Sequence, residues 1–329
     1  MRQQEIHAWL SSLLPATDLS NLQYIQADAS SRKYLRLRTP TDSFVIMDTK
    51  PDQELTKFIT IAKILAAHKI SVPQIIHCNA EQGLLLMSDL GTQTYQEILA
   101  NGTTEQIDSL YLDAIMTLLK IQRINTNASV GYEFISMNDA YIRTRLEIFS
   151  TWYLQKHLGL ALDDNILHII DQMQQLFSKT FAEVPQVLVH VDYHCRNLMV
   201  TPTNNPGVLD FQDAACGPIT YDLVSLFQDA YISWPRSQVE SWVNTYQEFA
   251  TQAGIMPPMS STALLRNFDL VGLQRHIKNL GIFARLHHRD QKSNYLHDIP
   301  ALLRYIGDTC QRYSELSWLM DFIAEEVQG

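Results

Sequence analysis

No two cysteines in this chain fall in a CxxC spacing: Cys78, Cys195, Cys216 and Cys310 lie far apart. That pattern argues against a disulfide framework and a structural zinc site, and favours free thiols in a reducing compartment. No apolar run approaches the length that crosses a bilayer, and the stretch MRQQEIHAWLSSLLPATDLS lacks the continuous apolar core of a signal peptide. Its Ile6, Trp9, Leu10, Leu13 and Leu14 fall at helical spacing between polar residues, which predicts an amphipathic helix. Basic runs are missing too. With a formal net charge of -10, nothing is present to neutralise a phosphate backbone, so no nucleic acid partner is expected. No membrane partner and no obligate protein partner is indicated either. The expectation is a cytoplasmic enzyme acting on a small molecule. Glycine and proline number only 12 each in 329 residues, and repeats and low-complexity segments are absent, which excludes disorder and leaves a helix-rich globular chain of one large or two ordinary domains.

What is present divides near residue 90. Leu22 to Ile25, KYLRLR and SFVIMD read as strands, followed by a helix over QELTKFITIAKILAAHK with Leu55, Phe58, Ile59, Ala62, Leu65 and Ala66 on one face. Two further short strands, QIIHC and GLLLM, make a hairpin. After Ser88 to Gly91 the pattern becomes helical: Tyr95 to Ala100, Ile107 to Ile124, Ala140 to Leu158 and Ile166 to Phe181. One interruption, QVLVH followed by DYHCRN, LMV, TPTNNP and GVLDF, predicts a small sheet within the helical part.

HVDYHCRNLMV carries the chemistry. TPTNNP is rich in turn formers, so LMV and GVLDF should pair as an antiparallel hairpin. A bend centred between Thr203 and Asn204 pairs Leu198 with Leu209, Val200 with Gly207 and Asn197 with Asp210, whose Cβ atoms would then be roughly 5 Å apart. An amide oxygen and a carboxylate so placed can share a hard cation such as Mg²⁺, which completes its shell with water and phosphate oxygens. Asp192 would then stand beside a phosphate-bound metal, where phosphoryl transfer needs a group to orient the attacking hydroxyl and accept its proton. A competing reading makes His190, Asp192 and His194 a transition-metal site, since alternate residues of an extended segment share a side. It leaves Asn197 and Asp210 without a role.

HVDYHCRN followed by VLDF resembles the catalytic loop and metal-binding aspartate of the protein kinase-like fold, in the sugar and choline kinase branch that includes the aminoglycoside phosphotransferases. Within that branch, DASSRKYLRL, VIMDTKP, LLLMSDLGTQTY, DFQDAACGPITYDLVSLFQDAYISWP, GLQRHIKNLGIFARL and YLHDIP resemble the anomeric amino-sugar kinases of peptidoglycan recycling. The resemblance implies an α+β, two-lobed fold: a small nucleotide-binding lobe over residues 1–90, with a five-stranded antiparallel sheet and a helix, and a larger, mostly helical lobe over residues 91–329. It also implies ATP and Mg²⁺ between the lobes, and transfer of phosphate to the anomeric hydroxyl of N-acetylmuramate or N-acetylglucosamine. Asp192 would be catalytic; Asn197 and Asp210 would hold the metal. Aminoglycoside or small-alcohol phosphorylation, and a non-catalytic nucleotide-binding pseudokinase, are the alternatives.

The resemblance implies further roles. DASSRKY stands where a phosphate-covering turn belongs, and backbone N–H groups of Ser30 and Ser31 could cradle phosphates, with Arg32 or Lys33 supplying charge. FVIMD offers Met47 or Asp48 where most kinases carry a lysine; Lys50, Arg32 and Arg36 are candidates to replace it, with Glu54 as helix partner. Ser88, Asp89 and Leu90 form the hinge that adenine would meet. His194, Arg196, Asp213 and Arg275 are candidate acceptor-binding residues, while His190 and Asp222 organise the loop. Arg275, Lys278, Arg285 and Arg289 lie on one side of a helix, where a basic face would suit an acidic sugar and disfavour a cationic aminoglycoside.

Overall fold

Alternation in KYLRLR buries Leu35 and Leu37 and leaves the residues between them more exposed, so this segment forms a strand with one face turned inward. The computed structural model describes residues 2–15, 17–25, 32–127 and 131–327. In chain order the elements are α1 (Arg2–Leu13), β1 (Gln23–Ile25), β2 (Lys33–Arg38), β3 (Ser43–Asp48), α2 (Gln53–Ala67), β4 (Ile75–Asn79), β5 (Leu84–Ser88), α3 (Tyr95–Asn101), α4 (Thr104–Gln122), β6 (Ile135–Ser136), α5 (Asp139–Ile148) and α6 (Asp164–Ala182). They continue with β7 (Gln186–Val189), β8 (Leu198–Met199), β9 (Gly207–Val208), β10 (Ala215–Pro218), α7 (Tyr221–Phe227), α8 (Arg236–Gln252), α9 (Ser261–Asp290), α10 (Ile299–Arg312) and α11 (Ser317–Phe322). Contacts divide the chain into two units, residues 1–93 with 198–212, and residues 94–197 with 213–329. The first unit thus takes in the β8–β9 hairpin as well as the expected N-terminal segment.

In the first unit the five strands run antiparallel in the order β1-β2-β3-β5-β4. Ile6 and Leu10 of α1 pack with Leu35, Leu37, Ile46, Leu84 and Leu86 on one face. Met47, Leu85 and Met87 alternate with these and are buried as well, so β3 and β5 read as apolar runs because both their faces are covered. Asp52 caps α2 by accepting from the backbone N–H groups of Glu54 and Leu55. The buried face of α2 is Leu55, Phe58, Ile61, Ala62 and Leu65; of the residues expected there, Ile59 is only partly buried and Ala66 is exposed, and Ile61 was not expected.

The β8–β9 hairpin differs from expectation by one residue. Leu198 faces Val208, and Met199 faces Gly207. The connecting segment 200–206 has an odd number of residues, so its centre falls on Thr203; Asn204 takes a left-handed φ of 50° and the Asn205–Pro206 peptide is cis. The ladder therefore does not supply the Asn197–Asp210 pairing that the bend predicted, and Asp210 leaves the strand at a φ of 59°. QVLV also does not join this ladder: β7 pairs with β10, which runs parallel to β6. The expected single small sheet is two separate ladders.

The second unit is built around α9. Ser260 caps its N-terminus, Gln291 closes its C-terminus with a left-handed φ of 56°, and most residues from Asn267 to Leu286 are buried. The segment expected as one helix over 140–158 is α5 followed by a π-helical stretch, Phe149–His157. Gly281 lies where α9 meets this stretch: a Cβ there would sit 2.6 Å from the backbone N and Cα of Phe149. The glycine makes the close approach of the two helices possible.

Candidate active site

Asp222 organises the loop after β7. It sits at the start of α7, fully buried, and its carboxylate accepts the backbone N–H of His190 at 2.6 Å and of Val191 at 2.9 Å. Both N–H groups reach one carboxylate because Val191 has a φ of 81°, a backbone conformation rare for a β-branched residue. Burial pushes the Asp222 carboxyl up to about 6, opposed by His190 and the two N–H donors. Tyr193 fixes the next turn through a hydrogen bond from its hydroxyl to the carbonyl of Ala114 at 3.0 Å.

Asp192 follows the reversal. Its carbonyl accepts from the backbone N–H of His194 at 3.0 Å and from the Asn197 side-chain amide at 2.9 Å. The peptide is thus held while the carboxylate remains accessible, at 38% side-chain exposure. Arg275 Nη2 of α9 stands 3.5 Å from Asp192 Oδ1. Burial alone would raise the Asp192 carboxyl, but Lys278, Arg275 and the two histidines outweigh it and hold it at about 2. Asp192 is therefore a carboxylate at neutral pH, suited to accept a hydrogen bond from a hydroxyl.

The residues expected to form one basic stripe separate in their surroundings. Arg275 and Lys278 are buried, whereas Arg285 is partly buried and Arg289 pairs with the adjacent Asp290 on the surface. Lys278 donates to the Tyr221 hydroxyl at 3.2 Å. Burial lowers its pKa to about 7, with Arg275 and Arg145 adding to the effect and Asp192 and Asp213 opposing it. Arg145 stacks on Tyr141 at 4.3 Å. Arg145 is the cation near Asp192 that sequence reasoning did not name; Lys278 entered only through the basic face, by its three-residue spacing from Arg275, whereas nothing local marks Arg145, 130 positions before Arg275 in the chain.

His194 is partly buried, its Nδ1 without a hydrogen-bond partner, and its ring meets Tyr231 edge-on at 5.3 Å. Burial, with Arg275 adding and Asp192 opposing, lowers its pKa to about 3, so it is a neutral imidazole and not a cation for phosphate. Arg196 stacks on Tyr231 at 3.5 Å and donates to the Gln96 side chain at 3.1 Å. Asp213 is exposed. Among the described residues no group of three histidine, cysteine, aspartate or glutamate side chains is arranged to hold a metal ion, and the trio His190, Asp192 and His194 is accordingly not such a group.

In the first unit Arg32 is 9% exposed and lies 5.5 Å over the Phe58 ring of α2, and Phe58 in turn packs on Phe211 at 4.9 Å. Ser30 and Ser31 lie outside the described residues. Where most kinases carry the lysine, Met47 is fully buried and Asp48 accepts from Arg2 at 2.6 Å; of the candidates to replace it, Arg36 is engaged by Asp89 at 2.6 Å and by the Gly91 carbonyl at 2.7 Å, and Lys50 is exposed. Asp89 also accepts from Ser43 and from the Gly91 N–H, so its carboxylate ties Arg36, Ser43 and Gly91 together. Ser88 exchanges hydrogen bonds with Gln74. Leu90 lies against Gly207, where a Cβ would come within 2.9 Å of it.

Asn197 and Asp210 suit a hard divalent cation by their chemistry. With its amide nitrogen committed to the Asp192 carbonyl, Asn197 presents its oxygen. Asp210 accepts from the Gln212 side chain at 2.7 Å through one oxygen, and a carboxylate has further lone pairs to offer.

Comparison with known proteins gives the family and the fold. The family model described as "Phosphotransferase enzyme family" matches residues 21–258. The N-acetylmuramate/N-acetylglucosamine kinase of Pseudomonas putida is 42% identical, covering all of this chain and 98% of that protein. The protein of the same name from Pseudomonas aeruginosa is 39% identical, again over all of this chain and 98% of its own length. Among solved structures, the GDP complex of aminoglycoside 2'-phosphotransferase-IIIa has the same fold, with a TM-score of 0.65 at 16% identity over 95% of this chain and all of that one. The fold is therefore the α+β, protein kinase-like one, and the chain belongs to the phosphotransferase enzyme family.

Proposed function

We propose that this chain is an ATP-dependent sugar kinase that phosphorylates the anomeric hydroxyl of N-acetylmuramate and N-acetylglucosamine to the 1-phosphate. The observation that carries the reading is the ionised Asp192, held in a hydrogen-bonded turn, in a chain 42% identical end to end to a kinase so named. Asp192 accepts a hydrogen bond from the acceptor hydroxyl, aims its oxygen at the γ-phosphorus of ATP and receives its proton as the new P–O bond forms and ADP leaves. Asn197 and Asp210 are the residues that would hold Mg²⁺, which when bound neutralises charge on the phosphate oxygens. Arg32 and Lys50 are small-unit candidates for the nucleotide phosphates. The hinge from Ser88 to Leu90 is the candidate adenine contact.

The charge around Asp192 favours an acidic or neutral acceptor over an aminoglycoside. Lys278 and Arg145 act on the same surroundings as Asp192 and Asp213; a polycationic acceptor would meet them unfavourably, and a lactyl carboxylate favourably. Cell-wall amino-sugar recycling in the cytoplasm fits free Cys78, Cys195, Cys216 and Cys310 and the lack of any helix, among the described residues, long and apolar enough to cross a membrane. ADP release with N-acetylmuramate, N-acetylglucosamine and kanamycin tests the reading. Turnover of the two amino sugars, with a phosphorus signal of a sugar 1-phosphate, is expected; turnover of kanamycin alone would replace it.

A further inference from the structure

Asp298 occupies the N-cap position of α10 but does not cap it. An N-cap aspartate ordinarily accepts from the N–H of the second or third helical residue. Here the second is Pro300, which has no N–H, and the Asp298 side chain makes no cap hydrogen bond. Its carboxylate is partly buried, and among the described residues it makes no hydrogen bond or ion pair. A half-buried carboxylate with open acceptor positions is costly unless something occupies them.

Its surroundings lead back to the Asp192 turn. Asp298 lies within electrostatic reach of Arg196 and Asp229 and influences the Tyr231 hydroxyl. Asp229 is already occupied: one oxygen takes the Cys195 thiol at 3.0 Å, and the other takes the N–H groups of Tyr231 and Ile232 at 2.8 Å each. Tyr231 is clamped between Arg196, 3.5 Å from its ring, and His194, 5.3 Å from it. Its hydroxyl has no hydrogen-bond partner among the described residues. Arg196 and His194 belong to the turn that presents Asp192. The open polar groups here are thus a carboxylate, a phenol and the buried Nδ1 of His194.

We infer that Asp298, with the Tyr231 hydroxyl, forms the side of the acceptor site that recognises the hydroxyl and amide donors of an uncharged sugar ring. Arg196 and Arg275 offset the carboxylate charge at this point, and the open acceptor positions of Asp298 call for O–H or N–H groups, which a pyranose supplies in a fixed array. The anionic part of an acidic sugar would lie elsewhere, toward Lys278 and Arg145. This inference rests on the kinase reading, in which Asp192 addresses the acceptor hydroxyl.

The test uses the full chain with N-acetylglucosamine and its 3-, 4- and 6-deoxy analogues, following ADP release. In the wild-type protein one deoxy analogue should lose about tenfold or more in kcat/KM, the scale of a hydrogen bond to a charged group. Asp298→Ala should lose a similar factor on the parent sugar with the KM for ATP unchanged, and should no longer distinguish parent from that analogue. Tyr231→Phe and Asp298→Asn, which keep the volume, carry the same comparison if the alanine variant fails to fold. Wild-type selectivity retained by the Asp298 variants would overturn the inference and leave the kinase reading intact. Absence of turnover with any amino sugar in the wild-type protein would overturn that reading, and this inference with it.

Discussion

Arg275 Nη2 lies 3.5 Å from the Asp192 carboxylate, and Arg275 is almost completely buried where Asp192 is not. The arginine was expected to meet an acidic sugar; its position instead pairs it with the Asp192 carboxylate. It also acts on Asp222 and Asp229, so one buried guanidinium offsets the charge of three carboxylates around the turn. Removing it should be felt first in the ionisation of Asp192. Arg275→Met is expected to raise the Asp192 pKa from about 2 toward the ordinary carboxylate range. The acid limb of the kcat/KM profile should then move to higher pH, with kcat lowered about tenfold or more through lost orientation. An acid limb unchanged in the variant would show that Arg275 does not set the charge of Asp192.

Asp222 supports the same turn from behind. Asp222→Ala leaves the buried N–H groups of His190 and Val191 without their acceptor, which should cost about 2 kcal/mol or more. Urea unfolding measures the loss, and turnover should fall with it because Val191 has no reason to keep its left-handed conformation. A stability change below about 0.5 kcal/mol, the range of ordinary surface substitutions, would contradict the role given to this carboxylate.

Gly281→Ala probes the crossing of α9 with the π-helical stretch. The added methyl would lie 2.6 Å from the Phe149 backbone, so a backbone must shift, at a cost of about 1–3 kcal/mol. Thermal unfolding should show a lowered midpoint; an unchanged one would mean that the contact is looser than described.

Lys278 makes a pH-dependent contribution. Its folded pKa, about 7, lies below the ordinary lysine value of 10.5, so between these values the unfolded chain binds the extra proton. Wild-type stability should therefore rise with pH across that window relative to Lys278→Met, and the difference between the two proteins should level off below pH 7. Equilibrium unfolding at a series of pH values checks the sign; a difference independent of pH would place Lys278 outside the low-dielectric interior.

The strand and helix order of the first unit was legible because alternation in KYLRLR and the periodic apolar face of α2 are local signals. The placement of Asp192 and Asn197 in one loop was legible from their spacing. The hairpin register was not, because it depends on one residue in a loop containing a cis proline, and a shift of one changes every partner. Arg145, Tyr231 and Asp298 carried no local mark: they come near the Asp192 turn only through the packing of α5, the segment after α7 and the start of α10. The basic stripe failed for a related reason, since periodicity groups Arg275 with Arg289 but does not say how deep each turn of a long central helix is buried.

The central claim is that Asp192 acts on the acceptor and not on the nucleotide. ADP release and ATP affinity measured side by side for the wild-type protein and Asp192→Asn, with N-acetylmuramate and N-acetylglucosamine as acceptors, test it directly. Turnover is expected to fall about a thousandfold, within the range of a lost general base, while ATP affinity stays within about twofold. Near-normal turnover by the asparagine variant would contradict the account.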